Sequence, residues 1–212
     1  VQAATITVDS TDGSVAADGI CSISEAIINA NNDAQTNGDC ASGSGADTIN
    51  LSTDITLTAE YENDAYYGRT GTPPISTAVV LDGQGHVLAR DGSLTCKFNL
   101  TNDAGEFRLL RVMSSGDLTL NNAVIRSGCV DISDSGGGIE GGGLLNRGTL
   151  SVQNSVIDAN QAASGGGIAS FGGGSEITRV DNTTFSNNSV RNAGAGLYVS
   201  GGDVGTINNS SF

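Results

Sequence analysis

A six-residue pattern centred on asparagine recurs four times in the chain and limits its possible folds more than any other feature. The pattern reads aliphatic residue, any residue, Asn, small residue, any residue, then Ile or Phe, and its central asparagines are Asn122, Asn154, Asn182 and Asn209. These asparagines stand 32, 28 and 27 residues apart. Repetition at such a period is typical of stacked units, none of which can bury its apolar face alone.

The repeated unit is predicted to consist of short strands. Its apolar runs are two to four residues long, alternate with period two and are rich in Val, Ile and Thr, which favour strands. A second pattern, Gly-x-Gly followed by an aliphatic residue, interleaves with the first at residues 141–144, 165–168 and 194–197. Such glycines suit corners that need a positive φ or a close approach of two backbones.

These patterns predict an all-β fold, a parallel β-helix or solenoid. In that fold each strand pairs with its equivalent one coil away, at about 4.8 Å. Asparagines at matching positions are then expected to stack as an internal ladder. Two alternatives fit less well, because the leucine spacing of a leucine-rich repeat is missing and a β-sandwich would not need the register of the asparagine pattern.

The amino-terminal part of the chain has a different pattern. A short helix is predicted at about 22–30, because Ser22 and Glu25 have the spacing of a capping box and the apolar residues fall on one helical face. Strands are predicted at 5–8, 47–51 and 54–57. An irregular loop with tyrosines is expected from Glu60 to Pro74.

The four cysteines, Cys21, Cys40, Cys96 and Cys129, form an even set without a CxxC pair. Since the chain has one histidine, a zinc site is disfavoured and two disulfides are expected. Pairing Cys21 with Cys40 and Cys96 with Cys129 closes the shortest loops. Disulfides persist outside the reducing cytosol, and with a first residue other than Met they favour a secreted protein. Four buried thiols in a cytosolic protein are the alternative.

The charge balance limits the partners and the chemistry. Nine Lys and Arg stand against 23 Asp and Glu, a formal charge of −14, so nucleic acid is not an expected partner. No apolar stretch approaches the roughly 20 residues that span a bilayer. One histidine, His86, and one lysine, Lys97, leave few candidates for a general base or nucleophile. His86 lies in a predicted turn, where a surface role is the simpler interpretation.

The stretch from Cys21 to Leu51 contains Cys-Ser-Ile-Ser-Glu-Ala, Asn-Gly-Asp-Cys and Gly-Ala-Asp-Thr-Ile-Asn-Leu in that order, and residues 5–57 resemble the CSLREA domain. The match departs from the family at Ile23 and Ser24, where Leu and Arg are usual. That domain precedes right-handed parallel β-helix repeats in many secreted or surface-anchored bacterial proteins. The later Gly-rich and Asn-x-x-Phe elements look like those of polymorphic outer-membrane proteins and related adhesins. The resemblance implies a right-handed β-helix at a surface and no common set of catalytic residues.

We therefore expect two continuous parts, an amino-terminal cap at 1–57 and parallel β-helix coils at 58–212. The predicted helix and its disulfide-bound loops would cover the strand edges of the first coil, since an uncovered edge invites association. The chain stops inside a repeat motif at Phe212. Two explanations are open: the sequence is truncated and belongs to a longer protein, or this end pairs with another subunit.

The carboxylates raise two chemical hypotheses. Asp9, Asp12 and Asp18 lie around glycine turns and resemble a calcium-binding loop, because hard cations bind several oxygens. Asx turns are the alternative explanation, and no other cofactor is expected. A polysaccharide lyase or hydrolase would need carboxylates on neighbouring coils. The candidates are Asp117, Asp131, Asp134, Glu140 and Asp158, with Arg126 or Arg147.

The sequence predicts a non-catalytic, secreted or cell-surface module that acts as an adhesin or stalk. Rigid coils would give reach, and polar loops would contact a glycan, a cell-surface receptor or sister subunits. The tyrosines available for such contacts are Tyr61, Tyr66, Tyr67 and Tyr198. The alternatives are a self-assembling extracellular filament subunit that stacks through its uncapped carboxyl-terminal end, and a polysaccharide lyase or hydrolase.

Overall fold

The computed structural model describes residues 2–97, 99, 103–131 and 139–212. Its regular structure consists of short strands in parallel sheets and one short helix, α1 (Ile23–Asn32). Sheet A contains β1 (Thr5–Val8), β2 (Asp47–Leu51), β6 (Ala78–Asp82), β9 (Asp117–Asn121), β12 (Thr149–Gln153), β16 (Glu176–Asp181) and β20 (Asp203–Asn208). Sheet B contains β3 (Ile55–Leu57), β7 (Val87–Arg90), β10 (Val124–Arg126), β13 (Val156–Asp158) and β17 (Thr184–Ser186). Sheet C contains β8 (Leu110–Val112), β11 (Leu144–Asn146), β15 (Ile168–Phe171) and β19 (Leu197–Ser200).

Two smaller strand pairs complete the described structure. One is the parallel pair β14 (Gln161–Ser164) and β18 (Ser189–Ala193), and the other is the antiparallel pair β4 (Glu62–Asp64) and β5 (Gly68–Thr70). The predominance of parallel strands with a single short helix agrees with the all-β, parallel class that the sequence predicts.

The chain visits the three sheets repeatedly in the same order. From β9 onward, a strand of sheet A is followed by one of sheet B and one of sheet C, and the next strand of sheet A lies beside the first. Equivalent residues pair in register, so that Leu120 of β9 opposes Val152 of β12, and Val152 opposes Val180 of β16. The period of the asparagine pattern is therefore the period of strand pairing.

Alternate residues of the strands meet in one apolar core. Leu120 of sheet A, Ile125 of sheet B and Leu110 of sheet C are fully buried and belong to the same hydrophobic cluster. Burying one such side chain contributes about 1.5–3 kcal/mol. Because each strand is only three to six residues long, this burial is achieved only when neighbouring passes of the chain stack.

The asparagine pattern forms a ladder on the outside of the stack. Asn154 and Asn182 are exposed, have φ values of 50° and 48°, and lie at the corners between sheets A and B. Asn182 donates to the side-chain oxygen of Asn154 at 3.2 Å, and Asn209 donates to that of Asn182 at 2.6 Å. The predicted column is present from Asn154 to Asn209, but Asn154 donates to Oδ1 of Asn121 rather than to Asn122, and the predicted internal position is wrong. Corner residues with a positive φ are often Asn, because Asn tolerates the left-handed backbone conformation. At these corners the side chain lies in solvent.

A second asparagine ladder, which the sequence does not predict, lies inside. Asn160 is fully buried and donates to the carbonyl oxygen of Ile125 at 3.0 Å and to Oδ1 of Asn188 at 3.1 Å. Its own Oδ1 accepts from the N–H of Gly128 at 2.9 Å. Asn188 donates in turn to the carbonyl oxygen of Ile157 at 2.7 Å. These side chains satisfy backbone groups that the corner leaves without strand partners.

The Gly-x-Gly pattern lies where two passes of the chain approach closely. Gly141, Gly165 and Gly194 have φ values of 67°, 62° and 67°, which glycine adopts without steric cost. A Cβ on Gly167 would lie 2.5 Å from the carbonyl oxygen of Gly196 in the next pass. The pattern therefore combines a left-handed corner with a backbone contact that excludes side chains.

Helix α1 packs against β1 and β2. Its start agrees with the prediction: the hydroxyl of Ser22 accepts from the N–H of Glu25 at 3.3 Å, and the Glu25 carboxylate accepts from the N–H of Ser22 at 3.0 Å. The helix continues to Asn32, beyond the predicted end at Ala30, and Asp33 closes it with a φ of 48°. Strands β2 and β3 pair with β6 and β7, so sheets A and B continue across residue 57.

Both disulfides join neighbouring cysteines along the chain. One links Cys21, before α1, to Cys40 in the loop after it, and the other links Cys96 to Cys129. No helix among the described residues combines the length and apolarity needed to cross a bilayer.

The stretch 60–74 is not the irregular loop that the sequence predicts, because β4 and β5 form an antiparallel hairpin in it. A carboxylate oxygen of Asp64 accepts from the N–H groups of Tyr66 and Tyr67, both at 2.8 Å. These are the bonds of an Asx turn. The two strands are three residues long and largely polar, so alternation of apolar residues could not reveal them.

We expect Asn160→Ala to lower the free energy of unfolding by about 2–4 kcal/mol, because the carbonyl of Ile125 and the N–H of Gly128 would remain buried without partners. Guanidinium denaturation followed by circular dichroism measures the change. The control is Asn154→Gly, which removes an exposed ladder side chain, keeps the positive φ and should cost less than about 1 kcal/mol. Equal losses in the two variants would contradict the internal role of Asn160.

Candidate functional site

A buried arginine ties the β4–β5 hairpin to the body of the protein. Arg108 is fully buried, and its guanidinium donates to the carbonyl oxygens of Tyr67, of Arg69 at 3.3 Å and of Glu140 at 3.1 Å. Burial, together with the nearby charge of Arg111, lowers the pKa of Arg108 to about 9, so the side chain is charged at neutral pH. A buried cation requires such acceptors, and here they come from the hairpin and the segment at Glu140.

Arg111 extends these contacts to the carboxylates of the hairpin. Its side chain is 3% exposed and pairs with Glu62 and, at 3.4 Å, with Asp64. Burial raises the pKa of Glu62 against the opposing charge of Arg111. Burial alone would also raise the pKa of Asp64, but hydrogen bonds from the N–H groups of Tyr67 and Tyr66 help to lower it.

Four side chains, Tyr67, Arg111, Arg147 and Phe171, form what we call the arginine–aromatic cluster. The guanidinium carbons of Arg111 and Arg147 lie 4.9 and 4.8 Å from the centre of the Tyr67 ring. The guanidinium carbon of Arg147 also lies 5.8 Å from the ring centre of Phe171. Each such contact contributes about 0.5–1 kcal/mol at an exposed site and more where water is excluded. The two rings therefore hold the Arg147 guanidinium in place.

The register of sheet C brings this cluster together. Arg111 lies in β8, Arg147 follows β11 and Phe171 ends β15, and these three strands are neighbours in the sheet. Asn146 opposes Ser170 in the pairing of β11 with β15, which sets Arg147 and Phe171 at equivalent positions of adjacent passes. The hairpin, held by its buried arginine, then adds the ring of Tyr67.

A groove of about 320 Å³ borders the hairpin and runs beside residues 12–15 and 57–61. Val15 and Tyr61 are 47% and 43% exposed, so the groove offers apolar and aromatic surface. Asp12 and Glu60 also line it and supply carboxylate oxygens. An aromatic ring beside hydrogen-bond acceptors can hold a sugar, whose C–H groups pack on the ring while its hydroxyls donate.

The predicted calcium ligands are engaged in separate contacts. Asp9, Asp12 and Asp18 each accept a hydrogen bond from a backbone N–H, at 2.8, 2.9 and 3.0 Å. For Asp12 and Asp18 the donor lies two residues further along the chain, which is the Asx-turn alternative. Within the described parts of the chain these three carboxylates do not form a group of metal ligands.

One group of potential metal ligands does occur among the described residues. Donor atoms of Cys96, Glu106 and Cys129 lie within 4.8 Å of one another. Both sulfurs belong to the same disulfide, so they are not available to a metal ion while that bond is intact.

Two of the carboxylates proposed for carbohydrate cleavage are engaged in ion pairs. Asp158 pairs with Arg126 at 3.1 Å, and Asp131 pairs with Arg191 at 3.4 Å. Burial alone would raise the pKa of Asp158, but hydrogen bonds from side chains that include Asn187 outweigh burial and lower it. A carboxylate held ionised by donors is suited to an ion pair rather than to donating a proton.

Glu140 is the exception among these candidates. Its carboxyl is buried, its Oε2 atom has no hydrogen-bond partner in the described structure, and burial raises its pKa against the charges of Arg108 and Arg147. A raised carboxyl pKa is a property of general acids. Asp117 is exposed at the start of β9, and Asp134 lies outside the described residues.

The sequence identifies only part of the arginine–aromatic cluster. Tyr67 is predicted as a contact residue and Arg147 as a partner of catalytic carboxylates, whereas Arg111 and Phe171 are missed. One available signal is the accumulation of tyrosines at residues 61–67, directly before the first basic residue of the chain, Arg69. The tyrosines indicate a contact surface, but they do not identify β8 and β15, the strands that supply Arg111 and Phe171.

Comparisons with known proteins do not assign this chain to a family, so the function is inferred from the geometry described above. No family model matches the chain. No curated protein and no solved structure matches it either. The resemblance of residues 5–57 to the CSLREA domain therefore stays a prediction.

We expect Glu140→Gln to stabilise the folded chain near neutral pH by up to about 1 kcal/mol. Because the pKa of Glu140 is raised above its ordinary value of 4.5 in the folded protein, the folded state binds more protons than the unfolded state. Its stability then falls as the pH rises through the window from 4.5 to the raised pKa. The neutral amide removes this loss.

Thermal unfolding near pH 7 and near pH 4 measures the effect. Below the window both the wild-type carboxyl and the amide are neutral, so the difference should disappear. Glu176→Gln, at an exposed position of β16, is the control and should change little at either pH. A destabilised Glu140→Gln variant at neutral pH would show that the ionised carboxylate stabilises the fold.

Proposed function

We propose that the chain is a right-handed parallel β-helix that acts as a non-catalytic, secreted or cell-surface adhesin module or stalk. We further propose that a glycan is bound on the flank formed by the hairpin, the groove at Tyr61 and the arginine–aromatic cluster. The observation that carries this proposal is the hairpin itself. It is an antiparallel insertion in a stack of parallel strands, and it presents tyrosines at the side of that stack.

The order of the strands supports the β-helix. Successive passes through sheets A, B and C place each strand beside its equivalent in the next pass. Connections between parallel strands of one sheet are right-handed in nearly all proteins. In this proposal residues 1–57 form the cap and residues 58–212 form the coils. Because each inner strand is hydrogen bonded on both sides, such a body is stiff and suits a stalk.

The two disulfides support a location outside the cytosol. Bonds of this kind persist in oxidising compartments and are rare where thiols are kept reduced. Cys21–Cys40 and Cys96–Cys129 close loops with sequence separations of 19 and 33 residues, and each is expected to contribute about 3–4 kcal/mol. The resemblance of the amino-terminal part to the CSLREA domain points to the same location.

The character of the hairpin surface supports glycan binding. Tyr66 is 53% exposed and lies edge to face with Tyr67 at a ring separation of 4.7 Å. Tyrosine combines a flat apolar ring with a hydroxyl, so it can contact a sugar while exposed to water. The bonds from buried Arg108 hold the hairpin in one conformation, which lowers the entropy lost on binding.

A filament subunit is the second candidate, and the surface of β20 favours it. Val204 and Ile207 in this strand are 41% and 44% exposed. An exposed strand edge with apolar residues is a template for pairing, and in this alternative the added strand comes from a sister subunit. The stacked rings of Phe185 and Phe212, 4.6 Å apart, would lie at the same junction.

Sedimentation velocity over a range of concentrations tests the filament alternative. We expect Ile207→Lys, which places a charge on the edge, to reduce any association strongly, because a lysine at a strand edge opposes pairing. Thr178→Lys, on the neighbouring inner strand β16, is the control for added charge. A wild-type chain that stays monomeric at high concentration would argue against this candidate.

For the adhesin proposal, we expect Tyr61→Ala to weaken binding of the best ligand on a glycan array at least about five-fold, because the ring that packs on the sugar is lost. Biolayer interferometry with that glycan immobilised measures the change. Tyr61→Phe keeps the ring and should retain most of the affinity.

Failure of the wild-type chain to bind any glycan or any cell surface would contradict the proposal. Release of reducing ends or unsaturated sugars from an acidic polysaccharide would instead favour the lyase or hydrolase alternative. In that case Glu140→Gln should abolish the release if the buried carboxyl acts as the acid.

A further inference from the structure

Arg147 differs from every other arginine that the structure describes, because no described residue accepts a hydrogen bond from its guanidinium. Its guanidinium carbon lies 4.8 Å from the ring centre of Tyr67 and 5.8 Å from that of Phe171. In a chain with 23 carboxylates and nine basic residues, an arginine without a carboxylate is unexpected. All other arginines pair with a carboxylate or donate to backbone carbonyls: Arg69, Arg90, Arg108, Arg111, Arg126, Arg179 and Arg191.

The ring contacts leave the N–H groups of Arg147 available. A guanidinium is planar and carries its five donors in that plane, so rings near its face restrict its motion without using a donor. Arg147, Tyr67 and Phe171 are all partly exposed. A Cβ on Gly172 would lie 3.0 Å from Nη2 of Arg147, so glycine at this position keeps a side chain away from that nitrogen.

The described carboxylates around Arg147 do not pair with it, and Glu62 and Asp64 pair with Arg111 instead. Arg111, beside the same Tyr67 ring, is almost fully buried, and its Nε has no hydrogen-bond partner in the described structure. The carboxyl of Glu140 is influenced by the charge of Arg147 but does not form an ion pair with it. Arg111 is closed to solvent, whereas the partly exposed guanidinium of Arg147 has unused donors, for which an external anion would supply the acceptors.

We propose that Arg147, oriented by Tyr67 and Phe171, binds the carboxylate of a uronic-acid residue in an acidic glycan. This inference rests on the proposed glycan-binding function and names the class of sugar. A carboxylate accepts two parallel N–H bonds from one guanidinium. The neighbouring rings would pack against the C–H groups of the same sugar.

The charge of the protein favours this ligand over a polyphosphate. Nucleic acids are bound by several grouped cations, whereas the cluster offers one guanidinium free of protein acceptors among the described residues. A uronate carries a single charge per sugar, which one arginine can match. Repulsion from the remaining acidic surface is reduced at physiological ionic strength, where the screening length is about 8 Å.

Isothermal titration calorimetry with trigalacturonate tests the proposal. We expect the wild-type chain to bind the acid at least about ten-fold more tightly than its methyl ester, which has the same shape without the charge. Arg147→Gln should lose at least about ten-fold in affinity for the acid, and Phe171→Leu should lose about three-fold. The control is Arg179→Gln, an exposed arginine paired with Asp181 in sheet A, which should bind as the wild type does.

The outcomes separate this inference from the proposed function. Equal affinity for acid and ester, or equal losses in Arg147→Gln and Arg179→Gln, would overturn the uronate site, while binding of the array glycan would still support an adhesin. Absence of binding to any glycan overturns both. If Arg147→Gln does not fold, Arg147→Lys retains the charge without the planar fork and should bind more weakly; undiminished binding by it would also overturn the site.

Discussion

The structure depends on hydrogen bonds between each short strand and its equivalent in the neighbouring pass of the chain. Pairing in register places aliphatic side chains of successive passes beside one another, so that Leu120, Val152 and Val180 line one column of the core. A slip of one residue would turn such a column to solvent. The corners must then repeat as well, which is why asparagine and glycine recur with the strands.

The candidate site is a consequence of the same register. Arg111 lies in β8, Arg147 directly follows β11 and Phe171 ends β15, and the parallel pairing of these three strands brings the residues to one part of sheet C. Arg108, buried before β8, binds carbonyl oxygens of the hairpin and of Glu140, because a desolvated cation needs acceptors. The core and the proposed binding surface are therefore linked by the same contacts.

Local features were the most predictable. The capping box at Ser22 and Glu25 and the strand at Thr5–Val8 follow from the residues nearby. The errors arise where distant contacts decide. The helix passes its predicted end because Asn29 is buried and its side chain donates to the carbonyls of Asn37 and Ala41. The hairpin at 62–70 has no apolar alternation and is held by buried Arg108, which lies far along the sequence.

The sequence by itself determined the repeat period, the short parallel strands, the helix start and the residues that turn the corners, since each depends on backbone preferences within a few positions. The tertiary structure decided which asparagines lie inside and which lie in solvent, and it brought Tyr67 to Arg147 and Phe171. Such contacts join residues far apart in the chain, and no periodic pattern records them. They arise because residues one repeat apart in the sequence lie on neighbouring strands, only about 4.8 Å apart.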